Sequence, residues 1–442
     1  MRILRTVLAG TAAAAFAVTG SVYVLASPAS AAAAATAVGT YTPLAPSRIL
    51  DTRHGNGAPT GIVTAGKTVH LQVAGRGGVP ASGVSAVILN LTVTGSLGNG
   101  YLTAYPDGAT RPTAASISFA KGVTRANTVT VAVGASGFVN IFQSSLGTHI
   151  VADVAGYYNG DAAGPVGSVY LPDGVGPWRL DDTRLGGAPP VPSTGWIQYA
   201  ITFGDDHPLN EAVTAIAMNL TAVNPASSGY LTTWNGSGEP PVGVSALNYG
   251  KGGIWPNSAT VPVAPCDFCA DPRLPMFGVY TSTNTHWLVD IYGYYFNDTV
   301  DGLTFKPITP QRILDTRPGA PIGVGTRTVP APSTITPETM ALSLNVTAVA
   351  PTANTYLTVY PENPRPPVST LNPFKGETVS NGTIAALSTT NDFLIYNNGG
   401  QIDVVADMGG LFEYIAPTGT ARAKGLPQIS GQVGGKLAAS TR

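Results

Sequence analysis

Arg48-Ile49-Leu50-Asp51-Thr52-Arg53 returns as Arg179-Leu180-Asp181-Asp182-Thr183-Arg184 and again as Arg312-Ile313-Leu314-Asp315-Thr316-Arg317, at intervals of 131 and 133 residues. Three more landmarks follow each hexapeptide in the same order. The first is an asparagine segment: Ile88-Leu89-Asn90-Leu91-Thr92-Val93, Ala217-Met218-Asn219-Leu220-Thr221-Ala222, then Ser343-Leu344-Asn345-Val346-Thr347-Ala348. The second is Tyr101-Leu102-Thr103, matched by Tyr230-Leu231-Thr232 and Tyr356-Leu357-Thr358. The third closes each span: Asp153-Val154-Ala155-Gly156-Tyr157-Tyr158, Asp290-Ile291-Tyr292-Gly293-Tyr294-Tyr295, or Asp407-Met408-Gly409-Gly410-Leu411-Phe412. Solenoid repeats run about 20 to 50 residues, so a period this long makes each span a domain with its own core. The expected domains are 41–158, 168–296 and 303–415, in keeping with a 442-residue chain that exceeds a single core.

Within a span the hydrophobic period is that of strands. Thr68 to Val73 alternates, Val87, Leu89, Leu91 and Val93 share a face, and so do Val129, Val131 and Val133. Phe138 to Phe142 and His149 to Tyr157 add two further runs, with Gly- or Pro-bearing turns between them. No amphipathic helix of ten or more residues is evident after the first 31. The expected fold is all-β: three tandem homologous β-sandwich or small β-barrel domains, with strand connectivity left open. Short linkers at 159–167 and 297–302 allow packing around a pseudo-threefold axis or extension as a stalk.

Arg2 and Arg5 precede an apolar stretch from Val7 to Ala26, and Ala29-Ser30-Ala31 supplies an A-x-A cleavage site. Residues 1–31 therefore read as a signal peptide, and the mature chain as secreted, with no later run long enough to span a bilayer. Charged residues are only 11% of the chain while 44% are hydrophobic, which supports buried cores. A formal net charge of -1 gives no basic field for nucleic acid. Residues 416–442 carry Arg422, Lys424, Lys436 and Arg442 without an acidic residue and read as a flexible basic tail.

The R-x-L-D-T-R opening, the L-N-[LV]-T and Y-L-T segments, the Lys-Gly pairs at Lys121-Gly122, Lys251-Gly252 and Lys375-Gly376, and the D-V-x-G-Y-Y closing resemble a repeat of secreted actinobacterial surface-associated proteins. The resemblance implies a surface-associated or accessory module, alone or beside extracellular hydrolases, without an assigned activity. The second span departs from the pattern where Asp181 replaces the usual Leu and an insert follows Val263. The third departs at Met408 and Leu411.

The repeated Arg and Asp residues read as a framework rather than a catalytic set. Asp153 lies among Val151, Ala152, Val154 and Ala155, so its strand is buried on both faces and its carboxylate needs a partner. Arg48 or Arg53 is that partner, with Arg179 or Arg184 for Asp290 and Arg312 or Arg317 for Asp407, as bidentate pairs tying first strand to last. Asn90, Asn219 and Asn345 read as interior side chains satisfying loop backbone groups. They also open Asn-x-Thr sequons, a match that a bacterial export route leaves mostly empty.

No catalytic residue, metal site or cofactor emerges. G-x-S-x-G and H-E-x-x-H are absent, and the five histidines are scattered. Asp205-Asp206-His207, before Pro208, reads as a solvated loop. Cys266 and Cys269, the only cysteines, lie in the insert of the second span, where export favours a local disulfide. All five tryptophans fall in that span as well. Trp178, Trp234 and Trp255 stand near turn residues and are the candidate binding residues, while Trp287 sits inside a strand run. The expected function is a secreted, noncatalytic binding or surface-associated protein recognising cell-envelope or extracellular polysaccharide or a surface protein. The alternatives are a structural assembly or stalk unit and an extracellular hydrolase of glycan or peptide.

Overall fold

In the computed structural model the described residues are 36–174, 176–414 and 431–439; the expected signal peptide and residues 416–430 and 440–442 of the expected tail lie outside them. Alternating Val, Leu, Ile and Thr residues produce strands throughout, and the longest described helix is the single turn Leu209–Ala212. The fold is all-β.

The front sheet of the first span runs Tyr41–Asp51, Gly147–Asn159, Val84–Thr94, Arg125–Ala132, all antiparallel. The second span follows the same order with Trp178–Asp182, His286–Phe296, Val213–Val223 and Ile254–Pro262. So does the third, with Leu303–Asp315, Asp403–Tyr414, Thr339–Val349 and Thr378–Ala386. We call these the opening, closing, asparagine and inner strands. Register carries the sequence landmarks with it: Arg48 lies opposite Asp153, which lies opposite Asn90, and Arg179, Asp290, Asn219 and Arg312, Asp407, Asn345 repeat that row.

A second sheet backs each front sheet. It orders as Thr68–Gln72, Phe138–Gln143, Gly100–Pro106, Ile117–Phe119 in the first span and Trp196–Thr202, Pro275–Thr281, Gly229–Trp234, Leu247–Tyr249 in the second. In the third it is Gly325–Pro330, Asp392–Asn397, Leu357–Tyr360. Alternate residues of both sheets meet between them, as Leu71, Val139 and Ile141 meet Val87, Leu89 and Leu91 in the first span, and a hydrophobic cluster of this kind lies in each span.

A further core joins the spans. Val169–Pro172 pairs with the closing strand of the second span and, through Tyr170 and Leu303, with the opening strand of the third. Six aromatic rings meet there. Tyr41 lies opposite Tyr158, Tyr170 opposite Tyr295 and Phe305 opposite Phe412. Each pair also touches the next, with centroids 4.4 Å apart for Tyr41 and Tyr295, 4.4 Å for Tyr158 and Phe305, and 4.8 Å for Tyr170 and Phe412. The ring of contacts closes on itself and is fully buried. The glycine of the closing motif makes this approach possible: a Cβ on Gly156 would overlap the Tyr41 ring, and one on Gly410 the Phe305 ring. The described residues from 36 onward accordingly form one compact unit.

The expected basic tail needs correcting. Gln432–Ala439 is a strand that pairs along the whole edge of Trp196–Thr202, from Trp196 opposite Ala439 to Thr202 opposite Gln432. The edge it covers is uncharged and largely apolar, which makes an added strand favourable there.

Candidate functional site

The closing aspartates hold more than the framework reading expected. Arg48 donates from Nε to Asp153 Oδ1 at 2.9 Å and from Nη2 to Oδ2 at 3.1 Å. Arg312 does the same to Asp407 at 2.9 and 3.3 Å, and Arg179 grips both oxygens of Asp290. The second arginine of each hexapeptide goes elsewhere. Arg53, Arg184 and Arg317 bind Asp51, Asp182 and Asp315, two residues back, through side chain and backbone N–H together. Their place is thus the turn after the opening strand, because the carboxylate that accepts the backbone N–H also captures the guanidinium.

Each closing aspartate also reaches into a neighbouring span. Asp407 accepts the Ala115 N–H at 3.0 Å, Asp153 accepts from Ser245 and Asp290 from Ser369. Burial pushes the Asp290 carboxyl up to about 6 against the opposing pull of Arg179, and raises Asp153 as well. The aspartates of the hexapeptides move the other way. Arg53 holds Asp51 well below the usual carboxylate range, and Arg317 brings Asp315 down to about 2.

The asparagines continue the same connections. Asn90 donates to Ser245 O at 2.5 Å, Asn219 to Ser369 O at 2.8 Å and Asn345 to Ala115 O at 2.6 Å. A second set on the inner strands went unnoticed in the sequence. Asn257 donates to Asn90 Oδ1 at 3.0 Å, Asn381 to Asn219 Oδ1 at 2.9 Å and Asn127 to Asn345 Oδ1 at 2.8 Å. Each of these accepts a backbone N–H from another span, of Thr128, Ser258 and Gly382 respectively. The available signal was the nearly constant spacing of Asn127, Asn257 and Asn381, 37, 38 and 36 residues beyond Asn90, Asn219 and Asn345.

Two of the three candidate binding tryptophans are half-buried and one is core. Trp234, expected at a turn, is only 4% exposed, because its ring lies across Gly278 on the adjoining strand, where any side chain would collide with it. Trp178 packs on the second-span core and donates to Tyr294 Oη at 3.2 Å. Trp255 donates to Gly252 O at 2.6 Å, and the guanidinium of buried Arg125 lies 5.0 Å from its ring centroid. Arg125 in turn meets Glu377 at 2.5 Å, so Trp255 stands where all three spans converge. Asp181 is explained by the same enlarged core: Trp287 Nε1 donates to Tyr199 Oη, whose hydroxyl donates to Asp181 Oδ2 at 2.6 Å. Cys266 and Cys269 form a disulfide beside Ala200, Leu274 and Met276. Asp206 caps an exposed loop by pairing with Arg273.

A cleft of about 600 Å³ opens between the first and third spans, bounded by Tyr101, Ser118, Arg312, Arg317, Thr347 and Glu377. Tyr101 is 40% exposed. Arg312 is fixed by Asp407, Asp315 and Thr113 O, and Arg317 by Asp315. The buried Thr347 hydroxyl, on the cleft wall, has no hydrogen-bond partner. Three guanidiniums, of Arg125, Arg312 and Arg317, are matched by three carboxylates, of Asp315, Asp407 and Glu377. The cleft offers an exposed aromatic ring and fixed hydrogen-bonding groups whose charges are paired.

Among the described residues no group of acidic, histidine or cysteine side chains has the arrangement of a metal site, and no helix is long and apolar enough to cross a membrane. No family model matches the chain, nor does any curated protein. A chain in the atomic structure of Sulfolobus Turreted Icosahedral Virus aligns over 86% of this chain and 92% of that one, at 9% identity and a TM-score of 0.16, too slight a likeness to carry an argument.

Proposed function

We propose that the chain is a secreted, noncatalytic surface protein in which three homologous β-sandwich domains pack around a pseudo-threefold axis and hold a neutral polysaccharide in the cleft between the first and third. The carrying observation is the cleft's chemistry: exposed Tyr101 beside Arg312 and Arg317, whose charges are paired with Asp407 and Asp315. Sugar rings present an apolar C–H face to an aromatic ring and hydroxyls to fixed donors and acceptors. An anionic ligand would gain little from Arg312 and Arg317, which carboxylates already engage. The triplicated Arg, Asp and Asn residues are occupied in joining strands and spans, which supports a scaffold role for them.

The test is retention of the purified chain on isolated cell walls and on insoluble neutral glycans. Tyr101→Ala is expected to lower retention about tenfold or more, the equivalent of about 1.4 kcal/mol, with the melting temperature nearly unchanged. Equal retention by the variant, or soluble products released from the glycan, overturns the reading. The interlocked asparagines and the aromatic ring favour a second reading, a structural unit of a surface assembly without glycan affinity.

A further inference from the structure

The peculiarities of the second span gather around one sheet edge. In the first and third spans the corresponding edge strands, Thr68–Gln72 and Gly325–Pro330, pair on one side only and carry the usual guards: exposed Lys67 and His70 in one, exposed Arg327 and a terminal proline in the other. Trp196–Thr202 has no charged residue and no proline, and its central residues are buried. It is covered by Gln432–Ala439, a segment that seventeen residues separate from Tyr414. The cover is shaped for its seat. Gly435, opposite Ala200, lies so close to the Cys266–Cys269 loop that a Cβ would stand 3.3 Å from Phe268, and a Cβ on Gly431 would overlap the Tyr294 hydroxyl. The disulfide, the insert and the bare edge thus form one receptor for a glycine-bearing strand.

We propose that this edge is a strand-accepting site through which copies of the chain join, the segment 431–439 of one copy seating on Trp196–Thr202 of another. The inference goes beyond glycan recognition and does not depend on it. Every contact of the added strand is made equally well by a segment from a second copy, since the same residues meet in the same ladder. The choice between the two is set by concentration and by the connecting segment, which spans up to about 55 Å when extended. An edge this bare invites any unpaired strand, and the glycine fit restricts it to the chain's own terminus.

The experiment uses two full-length variants, Thr202→Cys and Gln432→Cys, which face each other in the ladder. They are mixed under mild oxidation and resolved without reductant. The expected result is a mixed disulfide-linked dimer whose yield rises with protein concentration and falls at least tenfold when the Gln432→Cys chain also carries Gly435→Pro. Circular dichroism of that variant establishes that its body is folded. The double variant Thr202→Cys/Gln432→Cys serves as the reference for the ladder. If it closes entirely within one chain while the mixture yields no dimer at any concentration, exchange between copies is overturned. A double variant that forms no cross-link of either kind overturns the strand-accepting site itself.

Discussion

Asn127→Ala removes a side chain whose hydrogen bonds go to the first and third spans, and the tryptophans of the second span report whether the effect stays there. The Asn127 amide donates to Ser116 O at 2.5 Å and to Asn345 Oδ1 at 2.8 Å, and accepts the Gly382 N–H at 2.9 Å; it is fully buried. Truncation strands three buried polar groups at about 1 to 3 kcal/mol each, less whatever relaxation recovers, giving an expected loss of about 3 to 6 kcal/mol. Asn99→Ala removes an exposed acceptor of the Lys121 N–H and is the control, expected to cost under about 1 kcal/mol. The assay is urea unfolding followed by tryptophan fluorescence, with hydrogen exchange resolving the other spans. All five tryptophans lie between Trp178 and Trp287, in a span to which the Asn127 side chain makes no hydrogen bond; Trp255, which borders Arg125 of the first span, is replaced by Phe in both variants and in the reference. If the closed aromatic and asparagine contacts make one cooperative unit, the tryptophan midpoint moves by the full amount. A tryptophan transition that stays in place while the first span alone is weakened refutes the cooperative reasoning, and a total cost below about 1 kcal/mol refutes the account of the amide.

Three further outcomes are expected. Trp234→Ala should cost about 3 to 5 kcal/mol in unfolding experiments, as for a large core truncation, and leave glycan retention per folded molecule unchanged. Melting temperature followed from pH 7 downward should rise and then fall. Asp290, with its folded pKa raised to about 6, contributes stability that is present below the unfolded value near 3.8 and lost as pH rises through 6, whereas Asp51, Asp182 and Asp315, with depressed values, contribute stability that is lost as pH falls below about 4; the maximum should lie at about pH 4 to 5. Reducing Cys266–Cys269 should lower global stability by about 2 kcal/mol at most, as the closed loop is very short, with increased hydrogen exchange concentrated at Trp196–Thr202.

Strand positions and the polar landmarks were legible because period-two alternation and threefold repetition are local signals. Alternation placed Val87, Leu89 and Leu91 on a core face, and the apolar run around Asp153 announced a strand buried on both sides. What covers the second side was not legible, because Ser245, Ser369 and Ala115 lie 92, 79 and 292 residues from Asp153, Asp290 and Asp407, each in a different span. Trp234 shows the limit of reading exposure from turn residues. Its nearness to Asn235-Gly236 suggested a loop, but Gly278, an ordinary-looking glycine in a distant strand, leaves room for the indole inside. The terminal strand was missed for a related reason: its partner edge is made attractive by the absence of guards, and an absence has no motif.

The six-ring aromatic cluster also sets an order of events at birth. A chain emerging from its N-terminus first can fold the sandwich around Leu71 and Ile141 early, but Tyr41 and Tyr158 lack Phe305 and Phe412 until the last span has been made. The first span therefore waits with an apolar end uncovered, and any chain cut short before Phe412 keeps it uncovered for good. Completion of the polypeptide is what hides the adhesive end, so incomplete copies remain recognisable to chaperones and proteases while finished ones do not.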